Sequence, residues 1–123
     1  MKRILIVDDA ATVRMYHRNI LESAGYAVKE AINGVEALEK ALQSLFDLYV
    51  VDVNMPMLDG YGFLQELRSQ EIPQAPAIMV STEAAVNDKT AAYKAGANVY
   101  LVKPVKPEQL LTYVRLLLGE ERS

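Results

Sequence analysis

Four short apolar runs, each cut off by a polar residue, constrain this chain more than any other feature. Ile4-Leu5-Ile6-Val7 runs into Asp8-Asp9, Leu48-Tyr49-Val50-Val51 into Asp52, Ala77-Ile78-Met79-Val80 into Ser81-Thr82, and Val99-Tyr100-Leu101-Val102 into Lys103-Pro104. Each run is strand-length and apolar throughout, the pattern of a strand buried on both faces. Tyr26 to Ala31 is a fifth, more polar strand-like segment and reads as an edge. Helical spacing fills the gaps between them, and strands alternating with helices of this length give an α/β, doubly wound parallel sheet with helices on both faces.

The punctuation supports the same reading. Val13, Tyr16, Ile20, Leu21 and Ala24 recur at helical spacing before Gly25, a natural stop. Asn33-Gly34 opens a second helix carrying Val35, Leu38, Ala41, Leu42 and Leu45. After Asn54-Met55-Pro56, Asp59 is placed to cap a third helix carrying Phe63, Leu64 and Leu67. Val86 to Ala95 is an Ala-rich fourth helix stopped by Gly96, and Pro107 starts a fifth with Leu110, Leu111, Val114, Leu117 and Leu118 on one stripe. Gly119 to Ser123 reads as a polar, frayed tail. These units fill residues 1–123 as one domain, leaving no linker or second domain.

Open parallel sheets bind ligands beyond the carboxyl ends of their strands. Asp8, Asp9, Asp52, Ser81 and Lys103 all fall there. The pattern alone leaves the strand order open; an order 2-1-3-4-5 would set the first and third strand ends side by side and bring the acids together. Carboxylates at close range repel, so their convergence calls for a cation. A cation beside a carboxylate nucleophile points to phosphoryl chemistry. Composition closes off other classes. With 13 Lys+Arg against 16 Asp+Glu the net charge is −3, no footprint for nucleic acid. Cysteine is absent, which excludes disulfides and thiol chemistry, and no apolar run approaches a membrane span. A soluble cytoplasmic domain is the expectation.

The residues resemble the receiver domain of two-component response regulators over the whole chain. Asp8-Asp9 is similar to that family's acidic pair, Asp52-Val53-Asn54-Met55-Pro56 with Asp59-Gly60 to its phosphoacceptor loop, Ser81 to its Ser/Thr and Lys103-Pro104 to its Lys-Pro, while Tyr100 holds the aromatic switch position. As a stand-alone chain it is most similar to the chemotaxis-type, CheY-like members. The resemblance implies the 2-1-3-4-5 order of the flavodoxin/CheY-like folds, a phosphoryl group accepted on Asp52 from a histidine kinase, and Mg²⁺ held by Asp9, Asp52 and the Asn54 main-chain carbonyl, with Asp8 acting through a water. Lys103 and Ser81 would contact the transferred group. Asn54 and Glu83, two residues past Asp52 and Ser81, would set the phosphate's lifetime. Ser81 and Tyr100 would pass the signal to a face made by the fourth helix, fifth strand and fifth helix, where a downstream protein binds. The implied molecule is no enzyme beyond its own phosphotransfer and dephosphorylation, and is a monomer or a weak phosphorylation-dependent dimer, off membranes and off nucleic acid. The family also implies a cis Lys103-Pro104 bond, where base rates favour trans.

Simpler roles compete residue by residue. Asp8 or Asp9 could cap the first helix. His17, the only histidine, reads as a packed ring with its nitrogens satisfied rather than as a ligand or phosphodonor. Tyr93 and Tyr113 serve equally as core caps or as partner surface; Met15, Met55, Met57 and Met79 read as packing or loop fill. The family pattern is broken at Val105, where Phe is usual, at Lys106, where a helix cap is usual, and at Ala85-Val86, where motor-binding chemotaxis members often carry lysines. The rival classes are weaker. A haloacid dehalogenase-type phosphatase needs an Asp two residues beyond its nucleophile, and Asn54 stands there. A flavin carrier needs a phosphate loop after the first strand, and Asp8-Asp9 would repel it. A receiver cut from a larger transcriptional or output regulator is the remaining alternative, against which Met1 and the short tail weigh.

Overall fold

Alternation along the buried strands decides which helices cover which face of the sheet. In the computed structural model, which describes residues 1–120, five parallel strands lie in the order β2-β1-β3-β4-β5. The strands are β1 (Arg3–Val7), β2 (Ala27–Ala31), β3 (Leu48–Asp52), β4 (Ala77–Ser81) and β5 (Val99–Val102), and the helices between and after them are α1 (Ala11–Ser23), α2 (Gly34–Gln43), α3 (Gly60–Ser69), α4 (Val86–Ala95) and α5 (Pro107–Leu117). Successive strand residues point to opposite faces. Leu5, Val7, Tyr49, Val51 and Met79 enter one core with Ala37 and Ala41 of α2, Phe63, Leu64 and Leu67 of α3, and Ala92 and Ala95 of α4. Ile4, Ile6, Val50, Ile78, Val80 and Leu101 enter the other with Leu21 of α1 and Leu110 and Val114 of α5. Each fully buried aliphatic side chain of this kind contributes roughly 1.5–3 kcal/mol, so the two cores fix the register that carries the strand ends.

The element ends follow the local chemistry. Asn33 caps α2 by accepting from the Glu36 N–H, and Asp59 caps α3 by accepting from the Gly62 N–H. Gly96 ends α4 at a φ of +118°, a left-handed conformation that glycine adopts without a Cβ penalty. The edge position of β2 and the 2-1-3-4-5 order are as the sequence and its resemblance imply, and the Lys103-Pro104 bond is cis.

Several sequence expectations need correction. In α2 the buried phase runs through Ala37 and Ala41 with Leu38 partly buried beside them, as expected for Leu38 and Ala41, while Val35, Leu42 and Leu45 are exposed. Neither acid after β1 caps α1; the capping position is Ala10, which makes no side-chain bond. His17 is buried as expected, but its Nδ1 has no partner among the described residues. The first part of the expected frayed tail is held: the Glu120 N–H donates to the Arg115 carbonyl and its carboxylate accepts from the Tyr26 hydroxyl at 2.5 Å. Residues 121–123 of that tail lie outside the described residues. Met57 is more than loop fill, since it and Leu58 hold positive φ angles of 55° and 95°.

Candidate functional site

Parallel pairing sets the strand ends side by side. Val7 pairs with Val51, Asp52 with Val80, and Ser81 with Val102, so the residues ending or following β1, β3, β4 and β5 meet along one edge. Asp8 is 1% exposed, Asp52 5% and Ser81 0%, whereas Asp9 is exposed. Among the described residues, Asp8, Asp9 and Asp52 each offer a carboxylate oxygen within 4.8 Å of the others. The Lys103 ammonium lies between two of them, donating to Asp52 Oδ1 at 2.8 Å and to Asp8 Oδ2 at 3.1 Å. The remaining oxygen of Asp8 accepts from the Ala10 N–H at 2.8 Å.

The electrostatics follow from burial and proximity. Burial pushes the Asp52 carboxyl above its ordinary pKa; the hydrogen bond from Lys103 opposes this, and the charges of Asp8 and Asp9 add to it. Burial works against the Lys103 charge, yet its bonds to Asp52 and Asp8 outweigh that and raise its pKa. One ammonium thus faces three carboxylates, and the pocket is short of positive charge. Its donors are carboxylate oxygens only, with no histidine or cysteine among them. Such a set suits a hard dication such as Mg²⁺ rather than a nitrogen- or sulfur-seeking metal.

The loop after β3 is held close against the end of that strand. Asn54 is exposed and Met55 is buried. The loop returns so tightly that a Cβ at Gly60 would lie 2.3 Å from the Asp52 carbonyl oxygen, so only glycine fits. The Gly60 N–H donates to the Val53 carbonyl, and the Leu58 carbonyl accepts from the Gly34 N–H, tying the loop to α2. Two left-handed non-glycine residues cost of order 1–3 kcal/mol each and persist where the surroundings over-determine them.

Ser81 turns its hydroxyl toward the loop after β4, accepting from the Glu83 N–H at 3.1 Å. Thr82 beside it is exposed. The Tyr100 ring is buried, and its hydroxyl donates to the Glu83 carbonyl at 2.6 Å. Tyr93 is exposed and Tyr113 half-buried, while Val105 is buried in the α1–α5 core rather than on a surface. Between α1 and the β5–α5 loop an apolar cavity of 360 Å³ runs from Val13, Tyr16 and His17 to Lys103 and Val105. A larger hollow of 680 Å³ lies at the other end of the sheet, near Tyr26, Asp47 and Glu120, away from the carboxylates.

Sequence reasoning missed Arg14 and Glu30. Arg14 Nη1 donates to the Asp8 carbonyl at 2.8 Å and its Nε to Glu30 Oε1 at 2.8 Å. The available signal was position: Arg14 lies one helical turn after Ala10, on the side of α1 that faces the edge strand.

A family model described as the response regulator receiver domain matches residues 4–115. The probable transcriptional regulator ycf27 of Guillardia theta is 38% identical over 117 residues, covering 95% of this chain and 45% of that protein. The transcriptional regulatory protein ResD of Bacillus subtilis is 35% identical over 116 residues, covering 94% of this chain and 48% of that protein. The chain therefore spans about half the length of these relatives. Among solved structures, the chemotaxis protein CheY4 of Vibrio cholerae superposes with a TM-score of 0.89 at 37% identity, covering 95% of this chain and 98% of that one. The receiver domain of the sensor histidine kinase PA1611 of Pseudomonas aeruginosa, solved with a magnesium ion coordinated in its active-site cleft, gives a TM-score of 0.89 at 31% identity, covering 96% and 98%.

Proposed function

The chain belongs to the response regulator receiver domain family, and from that premise we propose that it is a switch thrown by phosphorylation of Asp52. Receiver domains are phosphoacceptor signalling domains of two-component systems rather than enzymes in the ordinary sense. One contrast supports the assignment to Asp52: Asp8 and Asp52 are both buried and share the Lys103 ammonium, but the second Asp8 oxygen accepts from the Ala10 N–H, whereas Asp52 Oδ2 accepts no hydrogen bond among the described residues.

In the proposed step, an Asp52 carboxylate oxygen attacks the phosphorus of a phosphohistidine on a partner kinase. The new P–O bond forms as the P–N bond breaks, and the imidazole leaves with the electron pair and takes up a proton from water. Positioning and neutralisation of charge dominate such transfers. Lys103 offers a compact cation to the phosphoryl oxygens. Ser81 exchanges its contact with the Glu83 N–H for donation to a phosphoryl oxygen. Asp9, Asp52 and the Asn54 carbonyl would hold Mg²⁺, with Asp8 acting through a water. When bound, the ion supplies positive charge that offsets repulsion between carboxylates and phosphate. Asn54 and Glu83 flank the phosphate and set its lifetime by controlling access of water.

Movement of Ser81 loosens its hold on Glu83, to which Tyr100 is also bonded. The α4–β5–α5 face then shifts between two populated packings, and a protein partner that prefers one of them reads the signal. The whole of residues 1–123 acts as one receiver domain in the cytoplasm, as a monomer or a weak phosphorylation-dependent dimer. Among the described residues, no helix is long and apolar enough to cross a membrane, and the net charge of −3 does not favour direct contact with nucleic acid.

Two outputs have support. Similarity to a chemotaxis protein over nearly its full length fits a stand-alone switch. Relatives about twice as long that are transcriptional regulators fit a receiver whose output is transcriptional. Labelling with acetyl phosphate in Mg²⁺ tests the phosphoacceptor role: the wild type should take up phosphate and Asp52→Asn should not. Stoichiometric labelling of that variant would refute the assignment.

A further inference from the structure

The two acids that follow β1 are held very differently. Asp9 is exposed. Asp8 is tethered at four points: its N–H donates to the Ala31 carbonyl at 3.1 Å, its carbonyl accepts from Arg14 Nη1 at 2.8 Å, Oδ1 accepts from the Ala10 N–H at 2.8 Å, and Oδ2 from Lys103 at 3.1 Å. Three of these belong to the sheet or to the pocket itself. Arg14 alone reaches in from the side of a helix, and its guanidinium is held by Glu30 on the edge strand, with Nε on Oε1 at 2.8 Å.

Glu30 is in turn fixed from two helices. Its Oε2 accepts from Arg18 Nη1 of α1 at 2.5 Å, and its main-chain carbonyl accepts from the Lys40 ammonium of α2. The bond from Arg18 is the largest of the effects that keep the Glu30 carboxyl below its usual range. As a surface ion pair this arrangement would contribute little, about 0–1 kcal/mol. What distinguishes it is the destination of the second arm of the fork, the carbonyl of the turn from which both Asp8 and Asp9 project. A planar, pre-organised fork can join two acceptors at a fixed separation; a lysine ammonium cannot reproduce that geometry.

We propose that Arg14, oriented by Glu30, is a positioning residue that fixes the β1–α1 turn and so sets the affinity of the acidic pocket for a divalent cation. The inference rests on the phosphoacceptor reading above and names a residue to which nothing in that reading gives a part. Coulomb's law alone predicts the reverse effect of removing Arg14, since deleting a positive charge beside an acidic pocket favours a cation. Positioning and charge therefore differ in sign.

The test uses Mg²⁺ as the probe, titrated by calorimetry into wild type, Arg14→Met and Arg14→Lys, with amide hydrogen exchange on the metal-free proteins. Loss of an outer-shell partner costs metal affinity 10–100-fold in general, so Arg14→Met should weaken Mg²⁺ binding by about tenfold. Arg14→Lys, which keeps the charge but not the fork, should also weaken it. In both variants the Ala10 amide should exchange faster while amides of β3 keep their protection. Unchanged or tighter Mg²⁺ binding in Arg14→Met overturns the proposal, as does a lowered melting temperature with Mg²⁺ affinity intact. Should Arg14→Met fail to fold, unchanged affinity in Arg14→Lys overturns it equally. A wild type that takes up no Mg²⁺ sinks the phosphoacceptor reading and this affinity claim together, a result distinct from one in which wild type and variants bind alike.

Discussion

Ser81 and Tyr100 hold one residue from its two ends. The Ser81 hydroxyl accepts from the Glu83 N–H at 3.1 Å, and the Tyr100 hydroxyl donates to the Glu83 carbonyl at 2.6 Å. Ser81 ends β4 and Tyr100 lies in β5, so Glu83 links the carboxylate-bearing edge to the neighbouring strand through a single residue of the β4–α4 loop.

The two hydroxyls should be separable by mutation. Ser81→Ala removes the donor proposed for the phosphoryl oxygen. Hydrogen bonds to charged groups are worth about 1.5–3 kcal/mol, so labelling by acetyl phosphate should slow on the order of ten- to a hundredfold. Tyr100→Phe keeps the buried ring and loses a neutral bond worth roughly 0.5–1.5 kcal/mol of stability. Its labelling rate should stay near that of wild type while the Glu83 region exchanges its amides faster. Equal slowing in both variants would count against a separate role for Ser81.

Asp52→Asn should melt at a higher temperature than wild type in the presence of EDTA. The folded-state pKa of Asp52 is raised, chiefly by burial and with the nearby acids adding to it. A group raised on folding contributes stability that is present below its unfolded pKa and lost as pH rises through its folded value. At neutral pH the ionised Asp52 is therefore a burden on the metal-free fold, and an amide lacks that burden. Wild type should gain on the variant as pH falls into the carboxylate range. Mg²⁺ should raise the melting temperature of wild type more than that of the variant. A metal-free variant that melts lower at neutral pH would contradict this electrostatic account.

The strand ends were legible because a buried parallel strand leaves a simple trace, an apolar run stopped by a polar residue. Asp8, Asp52, Ser81 and Lys103 each sit at such a stop, and strand order then brings them together. The phase of α2 was only partly legible: of the stripe Val35, Leu38, Ala41, Leu42 and Leu45, Leu38 and Ala41 face the core with Ala37, and the other three are exposed. The bonds from Arg14 to the Asp8 carbonyl and to Glu30 were harder to see: helical spacing places Arg14 one turn after Ala10, but its partners lie on a turn and an edge strand that no spacing connects to it. The left-handed conformation of Met57 and Leu58 was equally hidden, since neither residue type favours positive φ.

His17 should make stability sensitive to mild acid. Burial lowers its folded-state pKa below the ordinary 6.5; the Asp8 charge opposes this and Lys103 adds to it. A lowered value means stability that is present above the unfolded pKa and lost as pH falls through about 6.5 toward the folded value. His17→Leu removes both that titration and an unpartnered buried Nδ1. In EDTA, denaturant unfolding of the variant should show a shallower fall in stability between about pH 7 and pH 5.5 than wild type. A buried unpaired polar atom costs about 1–3 kcal/mol, so the variant should be no less stable at pH 8. An unchanged slope would show that His17 does not titrate with unfolding.

Gly60→Ala should damage the fold and the site together. The added methyl would meet the Asp52 carbonyl oxygen at 2.3 Å and the Val53 Cα at 3.1 Å, and both are backbone atoms that cannot rotate away. Either α3 moves off the end of β3 or the loop after Asp52 shifts. Overpacking of this kind typically costs 1–3 kcal/mol, which should appear as a lowered midpoint in urea. Because the most crowded atom is the carbonyl oxygen of Asp52 itself, the loss should extend to labelling at saturating acetyl phosphate and Mg²⁺, under conditions where the variant is still folded by circular dichroism. Gly25→Ala supplies the control: its φ of +94° makes the substitution strained too, but nothing lies within 4 Å of the added methyl. That variant should lose stability and keep the wild-type labelling rate. If Gly60→Ala behaves the same way, the close approach of α3 to β3 serves folding alone and does not shape the Asp52 loop.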